Sequence, residues 1–285
     1  MSNDDLLKLP KDGLGLVVEV MKAAGDNPQV KEAANNLGQT AVTLTKTINN
    51  VLVPLAAINF AFDKARIYFA GKFQLDIAEK AKSIPPEHIV EPKASIAGPT
   101  LQGLAFTHEE PNLKEMYLNL LATAMDGRAA AVAHPAFVEI IKQLDSEDAR
   151  RVREALQYPN PIPIVQIHRR FPDRTGHVVL VRHMIDLTES TTGAPVEDAQ
   201  LPAMIDNWIR LGLVDVSYDS SLTSPDIYLW AEKRPEFIRL SQTPRSDGTT
   251  VLCRPGILQR TELGKRFATA IGLLAEPAQP AVAIR

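Results

Sequence analysis

Through most of the first 157 positions the apolar residues recur at helical spacing, and beyond them they alternate as in strands. The pattern is sharpest over residues 107–158. Leu113, Met116, Tyr117, Leu120, Leu121 and Ala124 fall three or four apart and predict one buried stripe. Thr107, followed three residues later by Glu110, reads as a capping box at the start of that helix. Asp126-Gly127 reads as its stop, with glycine supplying a left-handed backbone. A second helix is predicted from His134-Pro135, with Phe137, Ile140, Ile141 and Leu144 turned inward. A third is capped by Asp145 or Ser146 and ends before Pro159.

Upstream, Leu14, Val17, Val18 and Met21 make a narrow stripe over Gly13 to Ala24, broken by Asp26-Asn27-Pro28. Residues 29–82 read as one long helix that Pro54 must kink or divide, with Phe62, Ile67, Phe69, Phe73, Leu75 and Ile77 available for burial. Residues 83–99 are crowded with proline and predict a turn-rich connection with at most short helices. A further helix is expected over Pro99 to Phe106.

Downstream of Tyr158 the texture changes. Ile162, Ile164 and Ile167, then the β-branched run beginning at Gly176, predict short strands. Leu201, Ile205, Trp208, Ile209 and Leu211 predict a helix over 197–211 that Gly212 closes. Residues 213–218 alternate as a strand, 227–248 fit no single pattern, 249–258 hold a return strand, and 261–274 form a capped amphipathic helix. The expected fold is therefore mainly α (α+β). An N-terminal helical bundle over 1–145, with its proline-rich connection at 83–99, is followed by a winged-helix-like α/β domain over 146–274 and a flexible tail at 275–285.

Composition narrows the classes. A single cysteine, Cys253, excludes an intrachain disulfide framework and any zinc site built on several cysteines, and it points to a reducing compartment. The acidic, polar start lacks the pattern of a secretory signal, so a cytoplasmic protein is expected. The segment TINNVLVPLAAINFAF carries no charge. A span needs about 20 mostly apolar residues, and here Asn49, Asn50, Pro54 and Asn59 interrupt the run. Val51, Leu52, Leu55, Ile58 and Phe62 are instead a candidate apolar interface for a protein partner or for self-association; membrane disruption is the alternative.

Charge gives a second candidate surface. Arg150, Arg151, Arg153, Arg169, Arg170, Arg174 and Arg182 crowd one stretch, interleaved with His168, His177 and His183. Guanidinium groups so concentrated suit phosphate contacts, so a nucleic-acid or partner surface is expected from Arg150, Arg151, Arg153, Arg169, Arg170, Arg174 and Arg210. Against this, residues 150–285 hold 17 Lys+Arg and 15 Asp+Glu, a nearly balanced count. The helix that would read DNA in a winged-helix domain also has Glu197, Asp198 and Asp206 against Arg210 alone. His177 and His183 share strand parity but lie too far apart to share a metal without a bend. Glu109-Glu110 and Glu147-Asp148 stand at helix starts, where the helix dipole accounts for them without catalysis. No phosphate-binding loop, dinucleotide fingerprint or nucleophile elbow occurs, so neither an enzyme nor a cofactor is implied.

The run from Ala97 to Leu156 with Gly98-Pro99, Leu120-Leu121-Ala122, Met125-Asp126, His134-Pro135-Ala136-Phe137 and Leu144, together with DNWIRLGLVDV and TELGKRFATAI, resembles the bacterial abortive infection alpha family over about residues 50–272. The resemblance implies a context, defence against phage, and no catalytic residues. The expected function is a non-enzymatic interaction or sensor protein, with a nucleic-acid-binding winged-helix protein as the alternative.

Overall fold

The structure, a computed structural model, describes residues 61–275 apart from 174, 190 and 244–247. The helix expected over Gly13 to Ala24, the break at Pro54, the apolar residues Val51, Leu52, Leu55 and Ile58, and the side chain of Phe62 lie outside the described residues, as does Arg174. The fold is mixed, with helices and one four-stranded antiparallel sheet. It divides into two units, whose described parts are 61–151 with 266–275, and 152–265.

The first unit contains α1 (Ala61–Ala70), α2 (Lys72–Ala81), a 3-10 turn (Pro86–His88), α3 (Ala94–Thr107), α4 (Pro111–Met125), α5 (Pro135–Ile141) and the first half of α6 (Ser146–Gln157). The α4 stripe is buried as its spacing predicts, from Leu113 to Ala124, and Phe137, Ile140, Ile141 and Leu144 are buried after it. His134 caps α5 by accepting from the N–H of Ala136 at 3.1 Å. Asp145 caps α6 by accepting from the N–H of Asp148 at 2.7 Å.

Several starts and stops differ from expectation. The helix predicted through residue 82 breaks at Gly71, whose N–H bonds back to Ile67 and closes the first segment. Phe69, Phe73 and Ile77, four apart, take the inward face; Ile67 and Leu75 fall midway around the helix and are exposed. Helix α3 begins at Ala94, inside the proline-rich stretch, and carries Pro99 in its interior. Thr107 is the last residue of α3 and donates its hydroxyl to the Gly103 carbonyl at 3.0 Å, so it does not cap α4. Pro111 opens α4 instead, and its missing N–H costs nothing at that position. The stop of α4 is Asp126 in extended conformation, with no left-handed glycine; Gly127 donates to the His88 carbonyl at 2.7 Å.

The second unit continues from the latter half of α6 into β1 (Ile162–Arg170), β2 (His177–Met184), α7 (Leu201–Arg210), β3 (Val214–Ser217), two 3-10 turns (Pro225–Tyr228 and Ala231–Lys233), α8 (Pro235–Gln242), β4 (Thr250–Arg260) and the start of α9 (Glu262–Ala270). The sheet order is β2-β1-β4-β3, all antiparallel. Helix α7 starts at Leu201, later than predicted, because the Asp198 carboxylate accepts from the N–H groups of Gln200 and Leu201. Gly212, with φ +71°, closes it as expected. The stretch 227–248, which fits no pattern in the sequence, contributes Ala231, Phe237 and Leu240 to a cluster with Val165, Ile167 and Met184. These cover one face of the sheet.

Candidate functional site

The alternation of β1 sends Val165 and Ile167 to the covered face, and Gln166, His168 and Arg170 to the other. Cross-strand register sets the neighbours on that second face. Arg254 of β4 lies opposite Gln166, Leu252 opposite His168, and Thr250 opposite Arg170, while on the far side His177 of β2 lies opposite Arg170. Near its Ile162 end this face is buried through Ile164, Gln166 and Leu258. Toward the β1–β2 turn it opens, and there His177, Arg170 and Leu252 are exposed.

Strand β2 carries a bulge that adds to this face. Val165 pairs with Met184 and Ile167 with Val181, so both Arg182 and His183 oppose the single residue Gln166. His183 takes φ +55°, the only non-glycine positive φ among the described residues. A histidine held there costs roughly 1–3 kcal/mol, which persists only where the surroundings over-determine it. Here three bonds do so. The backbone N–H of His183 donates to the Tyr218 hydroxyl oxygen at 3.1 Å, the same hydroxyl lies 3.1 Å from Nδ1, and Nε2 lies 3.2 Å from Asp206 Oδ1. These roles assign a neutral ring, with Nε2–H donating to the carboxylate and the Tyr218 O–H donating to Nδ1. Burial holds the His183 pKa below its ordinary value against the opposing pull of Asp206. Burial likewise raises the Tyr218 hydroxyl.

As a proton relay this chain is inside out. The carboxylate that would have to be sheltered is 62% exposed, the imidazole is 5% exposed, and the hydroxyl is tied to a backbone N–H instead of facing an opening. Its effect is to fix the bulge and so present Arg182.

The result is a basic half-face of Arg170, Arg182, Arg254, His168 and His177. The rings of His168 and His177 are 4.8 Å apart and tilted. Burial, then the charges of His177, Arg254 and Arg170, depress the His168 pKa, so the ring is neutral at pH 7. Arg254 donates to the Tyr218 carbonyl at 3.0 Å and to Asp219 at 2.6 Å; that carboxylate is almost fully exposed, so water screens the pair. Among the described residues neither Arg170 nor Arg182 has an ion-pair partner.

This array is not the surface expected from the arginine-rich stretch. Arg150 and Arg151 both bond Glu147 within α6, Arg150 first, and hold that carboxyl down to about 2. Arg153 also lies on α6, half-buried. Arg169 points to the opposite face of β1 and sits over the Phe171 ring at 5.3 Å. Arg210 donates to Asn207 at 2.6 Å. Of the six expected arginines among the described residues, Arg170 alone joins the half-face. Arg254 was missed, since it stands alone in a sequence whose return strand otherwise reads as core. The signal that could have found it is the pairing of β4 with β1.

Other candidate chemistry is sparse. No group of three His, Cys, Asp or Glu among the described residues could hold a metal ion. Cys253 lies on the covered side of β4, where burial and then the Glu232 charge push its thiol up to about 12, making it a poor nucleophile. No helix among the described residues is long and apolar enough to cross a membrane.

The model of one family, abortive infection alpha, matches residues 66–271. The chain belongs to that family. No curated protein and no solved structure matches it. Abortive infection is a defence against phage, and the matched region of this abortive infection alpha protein takes in all of the second unit and most of the described part of the first.

Proposed function

We propose that this abortive infection alpha protein is a non-enzymatic interaction or sensor protein of phage defence, acting in the cytoplasm by binding and not by chemistry. The observation that carries the reading is the basic half-face. One side of the sheet is sealed by the 3-10 turns and α8, while the other opens toward the β1–β2 turn and is furnished with cations, two of them unpaired among the described residues. The inside-out polarity of the Asp206–His183–Tyr218 chain supports a positioning role over catalysis.

The second unit is read as a winged-helix-like module. Helix α7 runs through Gly212 into β3, and β4 returns between β3 and β1. The excursion that contains α8 stands where a wing would be, and the β2 strand and its bulge are additions. In this reading the helix is not the contact surface. It carries Asp206, Arg210 is bonded to Asn207, and Asp198 and Glu197 precede it, the latter paired with Arg239. The sheet is the surface.

The test is phage plating on cells with the gene, without it, and with Asp206→Asn. The reading expects protection to depend on the gene and to survive Asp206→Asn, together with a partner recovered by pull-down during phage challenge. Unchanged plating on deletion, or protection abolished by Asp206→Asn in a protein that still folds, would overturn it.

A further inference from the structure

We infer that the ligand of the basic half-face is a single-stranded nucleic acid, laid across β2, β1 and β4 with its phosphates on Arg170, Arg182 and Arg254 and its bases over His177 and Leu252. The inference rests on the sensor reading above and supplies its trigger.

Four observations select this partner. The cations lie in the plane of a sheet instead of on a protruding element. From Arg170 to the Gln166 position, where Arg254 and Arg182 stand, is four residues, or about 13 Å along the strand. That length suits a few consecutive phosphates of a flexible strand. Next, among the described residues no helix projects from the open face to enter a groove, and α7 beside it presents the Asp206 carboxylate, which repels a duplex backbone. The open face also offers flat and apolar surface between its charges. His177 is exposed, its ring lies against His168, and Leu252 is 38% exposed opposite His168. Imidazole and aliphatic side chains accept unstacked bases, whereas an acidic peptide would need only the charges. Finally, the cations are arginines held in place. Arg254 is anchored by the Tyr218 carbonyl, and Arg182 is carried on a bulge pinned by three bonds of His183. Such anchoring reduces the ordering cost of binding.

The histidines tune the surface. His168 is neutral when the site is empty because its Nδ1 is buried without a partner among the described residues and it faces His177, Arg254 and Arg170. A phosphate on Arg170 would offset the repulsive part of that depression, so binding favours proton uptake and strengthens as pH falls.

The experiment uses the full chain and fluorescence anisotropy with labelled oligo-uridine and oligo-thymidine about twelve nucleotides long, the matching duplexes, and anionic phosphatidylserine vesicles by sedimentation. With three guanidinium contacts, log K for the single strands should fall with log salt at a slope of about −2. Arg170→Glu with Arg182→Glu should weaken binding by about tenfold or more at low salt, while Lys233→Glu, on the covered side, should leave it unchanged. Circular dichroism would show that each variant folds. No binding of either single strand at low salt overturns the inference, as do tighter binding to duplex, binding to vesicles alone, or an equal loss with Lys233→Glu. Phage plating separates the two levels. Protection retained by the double variant that has lost single-strand binding removes the nucleic-acid trigger and leaves the sensor reading standing. Plating unaffected by gene deletion removes the sensor reading whatever the anisotropy shows.

Discussion

Tyr218 accepts the backbone N–H of His183 on its hydroxyl oxygen and gives its own proton to the His183 ring, both across 3.1 Å. One side chain thus satisfies a bulge amide and fixes an imidazole tautomer. Tyr218→Phe keeps the ring, which stacks near His183, and removes both bonds. It strands a buried N–H and Nδ1, and the expected loss is about 1–3 kcal/mol, read from urea unfolding. If the bulge instead held itself, the variant would unfold at the wild-type midpoint.

The neutral state of His183 makes stability depend on pH. Its folded pKa lies below the ordinary 6.5, because burial and Arg182 outweigh Asp206, with the Tyr218 hydroxyl as the remaining titratable neighbour. The unfolded chain therefore binds the proton first. Stability from this group is complete above about pH 6.5 and is lost as pH falls toward the lower folded pKa. His168 has the same sign. His183→Asn tolerates the left-handed backbone and removes one titration. It should flatten the fall in unfolding free energy between pH 7.5 and pH 5.5, leaving the part due to His168. An unchanged slope would place the acid sensitivity elsewhere.

How much of this was legible in the sequence depends on the range of the interaction. The α4 stripe, the Asp145 cap and the Gly212 stop are settled within one or two turns of chain, and their residues announce them. Thr107 misleads because a threonine three residues before a glutamate is equally able to bond back into the helix it ends, and Pro111 took over the start of α4. The basic half-face needed pairing that no local pattern encodes. His177 and His183 share a face as their parity suggests, yet only because two irregularities in the β1–β2 register, one at Leu180 and one at Arg182 and His183, cancel in parity. Arg254 joins them through the β1–β4 register alone. Arginine density in sequence pointed instead to α6, where the guanidinium groups of Arg150 and Arg151 serve Glu147.

Gly264 tests the join between β3 and α9 within the second unit. Thr261 accepts the Gly264 N–H at 2.9 Å and donates to the Gly212 carbonyl, so the helix start sits directly on the 212–213 turn. A Cβ at Gly264 would lie 1.9 Å from the Leu213 carbonyl oxygen, a backbone atom that cannot rotate away. Gly264→Ala therefore loses at least about 1–3 kcal/mol of overpacking despite alanine's better helix propensity. Thermal unfolding with a midpoint equal to wild type would show that the turn relaxes freely.

Gly103 poses the opposite situation, since its obstacle is a side chain. A Cβ there would lie 2.4 Å from Cζ and 2.6 Å from the hydroxyl oxygen of Tyr117, which is 1% exposed between α3 and α4. Alanine in a helix interior gains about 1 kcal/mol over glycine, and overpacking a rigid buried ring costs about 1–3 kcal/mol, so Gly103→Ala alone should destabilise. Tyr117→Leu should also destabilise, because it leaves a gap where the ring was. The two changes touch the same space, however. The added methyl fills part of what the lost ring vacates, so the double variant should be more stable than the two single losses predict, by a coupling of about 0.5–3 kcal/mol in a double-mutant cycle. Additive losses would mean that the close approach of α3 and α4 is set by other residues, and that glycine at 103 is not what admits the tyrosine.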